Sequence, residues 1–319
     1  MVGFNPELEK QLTKTDHAIA GASSGFVSRV LFQPLDVLKI RFQLQVEPVS
    51  RTATKSKYTG IAQAVQQIIK EEGWKALWKG HVPAQGLSIL YGIVQFTTFE
   101  YLTKAAWQKL PKEFSYHLRP ISHTFCGSLA AAAATLVVQP LDMLRTRFVA
   151  QGEPKMYRSL LHATSTIVRQ EGFLALYKGL VPTLFGVVPQ MGLQFGFYTL
   201  FTGIWKNSFG QKDPAFAGPF ESLICGSGSG LVAKCLIYPL DVTKKRLQVQ
   251  GFEKARKSFG ETRHYRGMVH CLFKVLKEEG LRGMYKGLYP SLLKAAAVSG
   301  CHMCVYDQIC RLIVWSRKL

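Results

Sequence analysis

Apolar residues along this chain gather into six long runs separated by polar, mostly basic stretches. The runs cover residues 16–43, 81–104, 121–149, 180–203, 220–248 and 288–312, and each predicts a helix long enough to cross the ~30 Å hydrocarbon core of a bilayer. Few runs are apolar all round, so each long helix is expected to keep one face towards a polar interior. Within each successive pair lies a shorter segment, at 59–72, 158–171 and 266–279. The first of these, Ile61-Ala62-Gln63-Ala64-Val65-Gln66-Gln67-Ile68-Ile69-Lys70, is apolar along one side only, as suits a helix lying in a membrane interface. The pattern predicts an all-α membrane protein with six transmembrane helices in three repeats, each with a short amphipathic helix.

One octapeptide marks the repeats. Pro34-Leu35-Asp36-Val37-Leu38-Lys39-Ile40-Arg41 returns as Pro140-Leu141-Asp142-Met143-Leu144-Arg145-Thr146-Arg147 and as Pro239-Leu240-Asp241-Val242-Thr243-Lys244-Lys245-Arg246, with starts 106 and 99 residues apart. A tail of 1–15 then precedes repeats at 16–111, 112–211 and 212–319. A proline within a helical run removes a backbone donor and favours a kink. The acid and base that follow lie on neighbouring turns of one face. Three symmetric copies allow each acid to pair with the base of another repeat and close a ring: Asp36 with Arg145, Asp142 with Lys244, Asp241 with Lys39. Gly21, Gly127 and Gly226, followed four residues later by Gly25, Ala131 and Gly230, form a small-xxx-small pattern that lets helices approach.

Composition narrows the partners. The chain is 47% hydrophobic and 19% charged, yet its net charge is +20, which calls for an anionic partner. The apolar runs favour anionic lipid or an anionic metabolite over nucleic acid. Seven cysteines, an odd count, argue against a disulfide framework, and Cys301-His302-Met303-Cys304 lies in an apolar run with no second ligand pair, so packing is the better reading. Residues 1–15 read as neither a secretory signal nor an arginine-rich transit peptide. No nucleophile–base pair, Walker loop or metal cluster supports an enzyme.

A cargo lacks threefold symmetry, so its site belongs where the symmetry breaks. Five residues before the prolines stand Arg29, Thr135 and Lys234; seven after the Lys-Gly pairs at 79–80, 178–179 and 286–287 stand Leu87, Gly186 and Lys294. These positions lie near mid-membrane, where ionisable groups are costly and usually functional. Arg29, Lys234 and Lys294 are expected to converge without nearby acids, a setting for a di- or triphosphate. The opposite wall offers Ser88, Tyr91, Gly186, Val187 and Gln190. There Tyr91 either stacks on a flat ring or packs between helices, Gly186-Val187 leaves room, and Ser88 and Gln190 hydrogen-bond ring heteroatoms.

The octapeptide has the form P-x-[D/E]-x-x-[K/R]-x-[K/R]. Each copy is followed by a second motif: Glu72-Gly73 to Trp78-Lys79-Gly80, Glu171-Gly172 to Tyr177-Lys178-Gly179, and Glu279-Gly280 to Tyr285-Lys286-Gly287. Six matches in register over nearly the whole chain resemble the mitochondrial carrier family. The resemblance implies a multi-pass inner-membrane antiporter, with termini towards the intermembrane space, basic loops in the matrix and the ion-pair ring as matrix gate. It implies glutamine braces, present as Gln43 and Gln248 but replaced by Val149 in the middle repeat. It implies a cytosolic gate built on [F/Y]-[D/E]-x-x-[K/R]. Here that reads Phe99-Glu100, Tyr198-Thr199 and Tyr306-Asp307, with Thr103, Thr202 and Cys310 where the bases belong, so the outer latch is expected to be weak. Helix N-termini at Gly60, Gly80, Gly179, Gly267 and Gly287 either are plainly capped or bind phosphate, which the resemblance makes cardiolipin.

Finer likeness narrows the cargo. Lys79-Gly80-His81-Val82-Pro83-Ala84-Gln85, Arg41-Phe42-Gln43-Leu44-Gln45, Gly152-Glu153-Pro154-Lys155 and Gly251-Phe252-Glu253 are similar to members that carry thiamine pyrophosphate, exchanged for nucleotides. Coenzyme A or adenine nucleotides are the rival cargo. No cofactor is expected, the phosphorylated compound being cargo. A monomer is expected, because one chain holds all three repeats. His17 and His123, aligned with Ser222, have no reading from the pattern.

Overall fold

The computed structural model describes residues 13–49, 56–109, 119–209, 214–253, 256 and 263–317. The repeat junctions at 111/112 and 211/212, most of the N-terminal tail and much of the basic loop before Arg263 lie outside the described residues.

Nine α-helices follow in order among the described residues: α1 (Lys14–Leu44), α2 (Ile61–Glu72), α3 (His81–Lys109), α4 (Arg119–Ala150), α5 (Leu160–Glu171), α6 (Leu180–Phe209), α7 (Pro214–Gln248), α8 (Met268–Met284) and α9 (Leu288–Ser316). Short 3-10 turns, Trp74–Trp78 and Phe173–Tyr177, join α2 to α3 and α5 to α6; the pattern of apolar positions did not reveal them. The six long helices run 29 to 35 residues. At ~1.5 Å per residue each exceeds the bilayer core. Among the described residues three segments are long and apolar enough to cross a membrane: Phe125–Ala150, Phe173–Ser208 and Glu221–Gln248. Of the remaining long helices, α1 and α9 are diluted by ionic residues, Arg29, Asp36 and Lys39 in α1 and Lys294, Asp307 and Arg311 in α9.

The helices close into a ring. The most extensive packing joins one repeat to the next, α3 on α4, α6 on α7 and α9 on α1. At one end α1, α4 and α7 also meet each other, and the short helices pack there, forming a buried cluster in each repeat. The octapeptides supply much of the clusters: Val37, Leu38 and Ile40 in the first, Met143 and Leu144 in the second.

Pro34, Pro140 and Pro239 all lie inside their helices. The residue before each ties its helix to the chain entering the second long helix. Gln33 donates to the Lys79 carbonyl at 3.2 Å, Gln139 to Lys178 at 3.0 Å, and the Tyr238 hydroxyl to Lys286 at 3.1 Å.

The glycines that follow those lysines have φ between 76° and 82° at Gly80, Gly179 and Gly287, a left-handed region that disfavours side chains. They also sit against the helix of the neighbouring repeat. A Cβ on Gly179 would stand 2.9 Å from Gln248 Cγ and 3.0 Å from the Lys244 carbonyl oxygen, and one on Gly287 would stand 2.7 Å from the Lys39 carbonyl oxygen. Gly179→Ala is therefore expected to lower the apparent unfolding temperature of the detergent-purified protein, at a cost of about 1–3 kcal/mol. An unchanged temperature would mean that the two repeats separate here without penalty.

The small-residue stripe does not fall where the spacing predicts in α1. Nothing lies within 4 Å of a Cβ built on Gly21 or Gly25. The buried stripe runs one residue earlier, through Ala20, Ser24 and Ser28, and in α7 through Cys225, Ser229 and Ala233. Either stripe satisfies small-xxx-small spacing, so the pattern fixes the period and leaves the phase open.

Candidate functional site

All three cross-repeat pairings of the octapeptides occur as contacts. Arg145 donates to Asp36 at 2.6 Å, and Lys244 lies 2.8 Å from Asp142. Lys39 lies 3.9 Å from Asp241, a looser contact. The ring forms at the short-helix end, where α1, α4 and α7 meet.

Each ring acid holds a second cation. Lys294 donates to both Asp36 oxygens at 2.7 Å, Lys234 donates to Asp241, and Lys245 lies 3.0 Å from Asp142. This corrects the expectation that Lys234 and Lys294 stand without nearby acids. Lys234 precedes Asp241 by seven residues, two turns along the same face of α7, and a lysine stem spans that distance. Lys294 reaches Asp36 from α9, which packs against α1. Arg29 donates to the Ala84 carbonyl at 3.1 Å and lies close enough to Asp36 and Arg145 to feel both charges. Three carboxylates thus meet six paired cations, with Arg29 beside them.

The glutamine positions differ from one another. Gln248 donates to Asp142 at 2.8 Å and so braces a ring pair. Gln43 donates to the Tyr238 hydroxyl at 3.1 Å instead, a side chain that neither other repeat has at that position. Of the residues that sequence assigns to the opposite wall, Ser88, Tyr91, Val187 and Gln190 are half-buried. Gly186 is buried on the side of α6 that faces α7, with Ile237 Cγ2 3.4 Å from where its Cβ would stand.

Beneath the ring the last arginine of each octapeptide forms a fixed knot. Arg41 holds Glu72 with two bonds, 2.7 and 2.8 Å, and bonds the Tyr58 hydroxyl at 3.0 Å and the Val149 carbonyl at 3.3 Å. Arg147 repeats this on Glu171, Tyr157 and the Gln248 carbonyl, and Arg246 on Glu279, Tyr265 and the Gln43 carbonyl. Lys79, Lys178 and Lys286 bond the same three glutamates. Each knot therefore joins the two motifs of one repeat to the backbone of another. Burial opposes the charge on these glutamates, but their bonds to the arginines hold all three carboxyls below the usual carboxylate range. The sequence shows Tyr58, Tyr157 and Tyr265 at one register before the short helices but not their bonds to the arginines.

Comparison with known proteins follows this threefold geometry. The profile of the family described as mitochondrial carrier protein matches residues 10–110, 116–209 and 217–317. The chain belongs to the mitochondrial carrier family. It is 48% identical over 325 residues to the mitochondrial thiamine pyrophosphate carrier of Bos taurus, covering 100% of this chain and 99% of that one. It is 49% identical to the protein of the same name from Homo sapiens, over 98% and 97% of the two chains. Mitochondrial thiamine diphosphate carrier 2 of Zea mays is 39% identical, over 92% of each chain. The protein is a carrier and not an enzyme.

At the other end of this carrier the outer-motif residues reach sideways. Glu100 bonds Lys104 on its own helix at 2.7 Å, both about two-thirds exposed. Phe99 lies 3.9 Å from where a Cβ on Gly127 would stand, and the Tyr306 hydroxyl is 2.6 Å from His17 Nδ1. Asp16 pairs with Arg317 at 2.7 Å. Tyr198 and Asp307 are half-buried on α6 and α9. His17, without a reading from sequence, thus joins α1 to α9.

The helix N-termini meet in pairs across repeats. Gly80 and His81 share a cavity of about 470 Å³ with Arg158, Ser159 and Leu160. Gly287 and Tyr289 share one of about 890 Å³ with Gly60, Ile61, Arg263, Arg282 and Lys286. Gly60 and Gly267 offer no side-chain cap, whereas Ser159 accepts from the His162 amide at 3.2 Å and caps its own helix.

Proposed function

We propose that this carrier moves thiamine pyrophosphate across the mitochondrial inner membrane by alternating access, in exchange for nucleotides. The observation that carries this is the cation surplus at the ring: three aspartates hold Arg145, Lys294, Lys244, Lys245, Lys39 and Lys234 between them, with Arg29 close by. A buried surplus of positive charge calls for a polyanion. The names of the relatives supply the rest. Lys234, Lys294 and Arg29 take the pyrophosphate, and Tyr91, Ser88 and Gln190 face the rings.

In this reading the ring is the matrix gate, held shut, and the outer end with Phe99, Glu100, Tyr198, Tyr306 and Asp307 is the unlatched cytosolic gate. Both termini then lie towards the intermembrane space. Pyrophosphate draws Lys234 and Lys294 off Asp241 and Asp36, and that loss lowers the cost of opening the ring. The chain works as a monomer, and cardiolipin phosphates occupy the cavities at Gly80 and at Gly60 with Gly287.

Thermal stabilisation of the purified carrier tests the cargo, since a ligand that binds the folded state raises the unfolding temperature. Thiamine pyrophosphate is expected to raise it and thiamine to leave it unchanged. A rise only with coenzyme A or adenine nucleotides would overturn the cargo, and no rise with any polyphosphate would overturn the site.

A further inference from the structure

The three latches of the ring are unequal, and one residue outside the threefold pattern makes them so. Lys245 follows the ring cation Lys244; the equivalent positions are Ile40 and Thr146, both buried and uncharged. Its ammonium lies 3.0 and 3.1 Å from the two Asp142 oxygens, 2.9 Å from Thr146 Oγ1 and 3.1 Å from Gln248 Oε1. Asp142 also keeps Lys244 at 2.8 Å and Gln248 at 2.8 Å.

The other two acids differ in where their second cation comes from. Lys294 on Asp36 and Lys234 on Asp241 are residues the cargo takes. Once they leave, Asp36 keeps Arg145 at 2.6 Å, and Asp241 keeps Lys39 only at 3.9 Å. Lys39 meanwhile lies 5.9 Å from the Tyr238 ring centre, and Gln43 bonds that tyrosine's hydroxyl rather than the latch. Lys245 cannot follow the cargo, because acceptors within the ring surround its ammonium and the residue is only 9% exposed.

We infer that Lys245 is a positioning residue that keeps the α4–α7 latch whole after cargo binds, so the ring opens in order: α7–α1 first, α1–α4 next, α4–α7 last. The last latch yields only when the whole bundle rearranges around bound cargo, which couples opening to exchange and suppresses one-way leakage. This inference rests on the proposed function.

The full chain, reconstituted in liposomes, reports it. Uptake of labelled thiamine pyrophosphate into empty liposomes is compared with uptake into liposomes preloaded with unlabelled compound. Lys245→Ile, the residue of the first repeat, is expected to raise the ratio of one-way uptake to exchange at least tenfold, and Lys245→Arg to restore the wild-type ratio. Lys39→Ile, at the loose latch, is expected to raise it less than threefold. If Lys245→Ile does not insert, Lys245→Gln, which keeps hydrogen bonds to Asp142 and Thr146 without the charge, carries the same expectation. Wild-type exchange with an unchanged ratio in Lys245→Ile or Lys245→Gln, or an equal rise in Lys39→Ile, overturns the inference. Absence of wild-type exchange would instead overturn the proposed function.

Discussion

Replacing Lys294 with alanine is expected to cut thiamine pyrophosphate exchange by about a hundredfold. A hydrogen bond between charged groups contributes roughly 1.5–3 kcal/mol, and ~2.8 kcal/mol is a factor of a hundred. Without cargo, Lys294 spends its charge on both oxygens of Asp36, at 2.7 Å. Its loss leaves that acid paired with Arg145 at 2.6 Å, so no buried carboxylate is stranded and the fold survives. Two measurements separate binding from folding. The apparent unfolding temperature without cargo should stay near wild type, while the rise caused by thiamine pyrophosphate should vanish. Normal exchange by Lys294→Ala would place the cargo elsewhere.

The largest loss of stability is expected at Arg147. Its side chain is fully buried, holds Glu171 with two bonds, and bonds the Tyr157 hydroxyl and the Gln248 and Gln250 carbonyls. The guanidinium also lies 5.3 Å from the centre of the Phe252 ring, which stacks on Tyr157 at 4.9 Å. Arg147→Met removes the cation, leaves the two carbonyls without this donor, and weakens the hold on Glu171, which keeps Lys178 at 2.5 Å. Breaking a buried pair from one side costs about 3–5 kcal/mol. The apparent unfolding temperature should fall sharply, with or without cargo. Lys104→Met, at the exposed pair with Glu100, should leave it unchanged and serves as the control. An equal effect at both sites would mean that the knots do not hold the repeats together. The same knots should fail in acid. Their glutamates titrate below the usual range, so their contribution is full above that range and is lost as pH falls through the folded-state values.

The architecture was legible because it is written three times. A helix period, a proline, an acid and a base recur at a spacing near a hundred residues, and local periodicity needs no knowledge of neighbours. Symmetry placed Asp36 with Arg145 and Asp142 with Lys244 among the ring pairings open to the chain, and the packed bundle holds both pairs. Less was legible in the site, because a site is where symmetry fails. Lys234 and Lys294 stood out as charges at mid-helix, but their pairing with Asp241 and Asp36 did not. Gly186 read as a gap for a ring, and its place beside Ile237 of α7 was not legible.

By itself the sequence determined the three repeats, the six long helices, the family and the surplus of positive charge. Each of these depends on residue type and spacing along one helix. Tertiary structure alone decided which cation each acid holds, that Lys245 joins Asp142, that Gln43 turns to Tyr238 rather than to the Lys39–Asp241 contact, and that His17 meets Tyr306. Coulombic and hydrogen-bond partners are chosen over a few ångströms between side chains on different helices. Spacing along the chain sets which face a side chain leaves from; only the packed bundle sets what it reaches.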